Sequence, residues 1–186
     1  MSATILSFDT ASRGRKVASE HQEFHELFNK THELTSLHRE LKIGEIATMD
    51  WSNLEHWFQC EIAREVFHKH LFQRSILVSI SFVAALLSLY ARNHMSDISI
   101  TEHVAQYSAS GAPDDMLKAA NCAFYMFVFS PEERLGRSVK YRKLANDVGP
   151  ALYANYASMA RKNFAFHMAD AFLPLGTIAR ERFVRG

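Results

Sequence analysis

Glu61, Glu65 and His68 fall at i, i+4 and i+7 of one stretch. On a helix that spacing sends all three side chains to one side. Glu65-x-x-His68 has the spacing that di-iron carboxylate bundles use to place a carboxylate and an imidazole one turn apart. Such a centre needs a second Glu-x-x-His and two further carboxylates from other helices, and the chain has no second pair in that order. His167 and Asp170 carry the spacing reversed, and His21, His25 and His32 lie near Glu20, Glu23 and Glu26. A carboxylate–histidine metal enzyme centred on Glu61, Glu65 and His68 is therefore one reading. Its rival is a solvated face with intrahelical Glu–His pairs. His21 and His25 could hold a metal across one helical turn. Without Glu beside the first histidine they are not the zinc-protease pattern, and an exposed charged face is the plainer reading.

Cations form the second constellation. Arg134, Arg137, Lys140, Arg142 and Lys143 surround Tyr141, and Arg161, Lys162, Arg180, Arg182 and Arg185 follow. Cations with an aromatic neighbour can hold phosphates and stack a base. This gives a nucleic-acid-binding regulator that uses 134–143 and the C-terminal arginines. Residues 94–133 carry one Lys/Arg against six Asp/Glu, and residues 134–186 carry ten against three. The basic segment could equally dock on the acidic one. The segment 100–117 has a helix-turn-helix outline with Gly111 in its turn. Its second helix opens on Asp114-Asp115, which would repel phosphate.

Nucleophilic chemistry has little to stand on. Cys60 has His56 one turn earlier, but an activated thiolate also needs exposure and an orienting group. Cys60 and Cys122 both sit among apolar neighbours and read as small core residues. Tyr153, Tyr156 and His167 could share one side of a last helix, where a packed aromatic core is the expectation. No Gly-rich phosphate loop, G-x-S-x-G or kinase set occurs, so no cofactor is implied.

The elements that must carry these residues are helical. Fourteen Phe against seven Gly and four Pro leave long apolar runs with little punctuation. Phe24, Leu27, Thr31, Leu34, His38 and Leu41 make a near-heptad stripe over about 15–41. Residues 1–12 read as a flexible tail without a secretory signal. Asp50 or Ser52 can cap the next helix. From 52 to 92 no Gly or Pro intervenes, so one helix or two with a bend near 73–75 both fit. Further helices are expected over 101–107, 114–129, 131–146 (from a Ser130/Glu133 capping box) and 151–172. Gly149-Pro150 separates the last two, and Pro174 and Gly176 end the last.

Residues 75–91 contain no charge. Seventeen residues at ~1.5 Å rise reach about 26 Å, short of the ~30 Å hydrocarbon core. Four are serine, and arginines flank both ends. Ser81, Ala84, Ala85 and Ser88 form a strip of small side chains. Ile76, Ile80, Val83, Leu87 and Tyr90 form another face. The stretch reads as the buried central helix of an all-α, irregular bundle of six to eight helices, residues 13–186 making one domain. The expected role is that of a non-enzymatic, cytoplasmic interaction or regulatory protein, a homodimer or one with a protein partner. Nucleic acid is an alternative partner, and a membrane is not expected.

Overall fold

A computed structural model of the protein describes residues 6–36, 50–92, 100–130 and 137–184. They form seven helices: α1 (Leu6–Ser36), α2 (Trp51–His68), α3 (Arg74–Arg92), α4 (Ile100–Ser110), α5 (Pro113–Phe129), α6 (Arg137–Ala160) and α7 (Asn163–Phe183). No strand occurs among the described residues, so the all-α bundle expected from the sequence is what the chain forms. α1 begins at Leu6. Residues 6–12 therefore belong to a helix and not to a tail. His38, Leu41, the Gly44 stop and the helix start at Pro131 with its capping box lie outside the described residues.

Residues 52–92 make two helices. Asp50 starts α2, its Oδ1 accepting the N–H of Asn53 at 2.9 Å. Such a cap is worth about 1 kcal/mol. The break comes at 69–73, earlier than the bend expected at 73–75, and it uses no glycine. His70 takes φ +54°. The N–H of Leu71 donates to the Val66 carbonyl at 3.0 Å and that of His70 to Phe67 at 3.1 Å. This is a Schellman closure with histidine at the left-handed position.

α3 is held inside the bundle. Ile76, Ile80, Val83, Leu87 and Tyr90 are all buried, Val83 and Leu87 completely. Each such side chain removed from water contributes about 1.5–3 kcal/mol. The window Arg74–Ala91 is long and apolar enough to cross a membrane by length and composition, yet 56% of it is buried by the protein itself. The small strip does not act as one surface. Ala84 and Ser88 face inward, Ser88 donating to the Ala84 carbonyl at 2.7 Å, whereas Ser81 is exposed.

α7 is the other centre. It packs on α6 and α3 most extensively, and also on α5 and α2, while α3 packs on α2, α7 and α1. The expected division of 131–172 does not hold. α6 runs through Gly149 and Pro150, the break falls at Arg161–Lys162, and α7 runs through Pro174 and Gly176. Arg161 takes φ +52°, and the Lys162 N–H donates to Ala157 at 3.1 Å, a second non-glycine closure. Gly149 and Gly176 are packing positions. A β-carbon on Gly149 would overlap the Phe172 ring, and one on Gly176 would come within 2.6 Å of the Phe127 ring. Pro174 removes a hydrogen bond to the carbonyl of Asp170, an exposed residue where water can replace it.

A single hydrophobic cluster runs from α2 to α7, with Phe24, Leu27 and Phe28 of α1 packed against it. Leu34, Cys60 and Ala63 make a small second cluster between α1 and α2.

Candidate functional site

The last turn of α7 meets α2 at a gathering of charged and aromatic groups. Glu61 is 1% exposed, and Arg182 Nε donates to its Oε2 at 2.5 Å. Just past the C-terminal end of α2, about two turns on, Lys69 Nζ pairs with Glu181 at 2.6 Å. Hydrogen bonding to that carboxylate raises the Lys69 pKa, a shift softened by solvent at this exposed site. Phe183 lies edge-on to Phe58 at 5.0 Å and tilted against Trp57 at 5.8 Å. Two ion pairs and an aromatic cluster thus fasten α7 to α2.

This arrangement does not bring Glu61, Glu65 and His68 together. Glu61 is turned inward onto Arg182, Glu65 is half-buried and His68 is exposed. Glu61 and His68, seven residues apart, differ by 20° in helical phase, but the packing of α2 on α7 draws only the first inward. Among the described residues no three His, Cys, Asp or Glu side chains are grouped so as to hold a metal ion.

The basic constellation is also divided. Arg180 is buried. Its Nη1 donates to the carbonyls of Val128 at 2.8 Å, Ser130 at 2.9 Å and Phe127 at 3.3 Å. A cation from α7 thereby closes the C-terminal end of α5, where unpaired carbonyls and the helix dipole favour positive charge. Arg182 is engaged with Glu61. In the 134–143 segment, Arg142 is half-buried and Lys143 exposed, and Arg137 and Lys140 lie on the first turns of α6. Arg134 and Arg185 lie outside the described residues. Arg161 and Lys162 stand at the far end of α6. Arg182 of α7 meets acid from α2, at Glu61. In the helix-turn-helix outline, α4 and α5 are joined through Gly111 at φ +66°. α5 nevertheless buries Met116, Ala120, Cys122, Phe124 and Phe127, so it is a core helix and not one free to enter a groove.

Both cysteines are buried as free thiols. Cys60 Sγ lies 3.7 Å from His56 Nε2. Burial, with Glu61 adding to it, raises the Cys60 pKa. The thiol is therefore held protonated, the reverse of what a nucleophile needs. Burial, with a smaller push from Glu102, lifts the Cys122 thiol to about 11.

Tyr153 and Tyr156 are buried on α6, while His167 sits on α7, so the three do not share a helix. Instead Tyr153 joins a seam linking three helices. Its hydroxyl donates to Asn121 Oδ1 at 2.7 Å, and the Tyr90 hydroxyl donates to the Asn121 carbonyl oxygen at 2.6 Å. Burial raises both phenols well above their ordinary pKa. Neutral, hydrogen-bonded phenols at this depth fix the register of α3, α5 and α6.

The outer side of α7 is of another kind. Phe166 is 45% and Leu173 49% exposed. They lie seven residues apart, on one face. The sequence conceals this pair when the helix is ended at Phe172. Reading the helix through Pro174 supplies the missing signal, a heptad-spaced pair of exposed apolar side chains.

No protein-family model matches the chain, and no curated protein or solved structure shows significant similarity to it.

Proposed function

We propose that this chain is a non-enzymatic helical interaction protein that self-associates, with the outer face of α7 in the contact. The supporting observation is the pair Phe166 and Leu173, two large apolar side chains one heptad apart on a helix whose other sides are already packed. Isolated surface apolars are ordinary, but a heptad pair is the minimal seam of a helix–helix contact. The interior supports the same reading. Glu61, Cys60, Cys122, Tyr90 and Tyr153 are buried in ion pairs, hydrogen bonds or apolar clusters, roles that packing alone accounts for. A cytoplasmic setting goes with the two free thiols.

Light scattering over a range of concentrations tests the proposal. The native chain is expected to exceed the 21.2 kDa of one copy, and the double variant Phe166→Asp/Leu173→Asp to return to it with its helicity intact. A native chain that stays at the monomer mass throughout would remove the reading.

A further inference from the structure

α1 carries three histidines outside the α7 contact, two of them adjacent on its surface. His21 and His25 are both exposed, one helical turn apart. Their ring centroids are 4.5 Å apart, with the planes tilted by 50°. An imidazole nitrogen binds zinc at about 2.0–2.1 Å, which puts two rings that share one ion at a right to tetrahedral angle with centroids roughly 4.5–5 Å apart. The separation on α1 falls at the lower, right-angle end of that range. Other contacts shape the surroundings. Phe24 stands edge-on to His25 at 6.2 Å. Glu23 reaches away to Arg74 at 2.6 Å, and Glu26 accepts from Gln22 at 3.1 Å. Glu23 and Glu26 thus have partners of their own, and the two imidazoles are the donors that share this face.

We propose that His21 and His25 form an open two-imidazole site for a late first-row divalent cation. Neutral imidazole suits Zn2+, Ni2+ and Cu2+, while Mg2+ and Ca2+ require oxygen donors. Two protein ligands leave the remaining positions to water, so the ion is exchangeable. An ion bridging one turn also ties its binding to the helical state of α1. The site is separate from Glu61, Glu65 and His68 and independent of self-association.

The test is a titration of the full chain with ZnCl2 near neutral pH. It is read by calorimetry and by the imidazole resonances, with MgCl2 as the control salt. Zinc is expected to bind with shifts at His21 and His25, and magnesium not to bind. His21→Ala and His25→Ala are each expected to weaken binding on the order of tenfold or more, since loss of even an outer-shell partner costs that much. His68→Ala leaves it unchanged. Both histidines are exposed, so far-UV dichroism of the variants serves as the folding check. Three results overturn the assignment: no heat and no shift with zinc, binding unchanged in both variants, or a loss confined to one of them.

Discussion

The ring of Phe172 on α7 occupies the place that a β-carbon on Gly149 of α6 would need. Gly149→Ala is therefore expected to destabilise by about 1–3 kcal/mol, the usual cost of overpacking. Phe172→Leu in the same chain should recover part of that loss. Urea denaturation of the two single variants and the double variant measures the coupling. Strictly additive effects would show that the glycine is not there for the ring.

Glu61 and Arg182 are bonded but unequally buried, at 1% and 40% side-chain exposure. Arg182→Met leaves a carboxylate deep in the protein without its guanidinium. The expected cost is on the order of 3 kcal/mol. Glu61→Gln leaves a guanidinium that water can reach, and should cost less. Denaturation midpoints that rank the two the other way would contradict this account.

Alkaline pH should weaken the fold. Cys122 keeps its proton up to about 11, against an ordinary value of 9.0. Between those values the unfolded chain releases a proton that the folded chain retains, so stability falls as pH rises. Above 10.0, Tyr90 and Tyr153 push in the same direction. Cys122→Ala should flatten the decline between 9.0 and about 11. An unchanged pH profile of the denaturation midpoint would refute the assignment.

His70 and Arg161 close α2 and α6 at positive φ, and both are exposed. An L side chain there costs roughly 1–2 kcal/mol, part of which glycine returns as lost chain entropy. His70→Gly and Arg161→Gly should each stabilise by about 0.5–1 kcal/mol. A loss in either variant, seen by thermal denaturation, would mean that the side chain does more than tolerate the turn.

These same positions explain what could be read in the sequence. Periodicity located the inward residues of α3, from Ile76 to Tyr90, because burial is written in every third or fourth residue. The Asp50 cap and the span of α5 were legible for similar local reasons. The ends of α2, α6 and α7 were not. Glycine and proline ordinarily stop a helix, but Gly149 and Gly176 admit aromatic rings, and Pro150 and Pro174 are carried inside helices. The true stops use histidine and arginine. Of the candidate sites, spacing put Glu61 and His68 on one side of a helix. It could not show that Arg182, 121 residues later, would claim Glu61.

The helix that touches α2, α3, α5 and α6 is synthesised after all of them. As the nascent chain leaves the ribosome, Phe124, Phe127 and Tyr153 have no Phe172 or Leu175 to lie against, and the C-terminal end of α5 waits for Arg180. The interior cannot be complete before α7 is made, and until then the growing chain leaves apolar side chains uncovered.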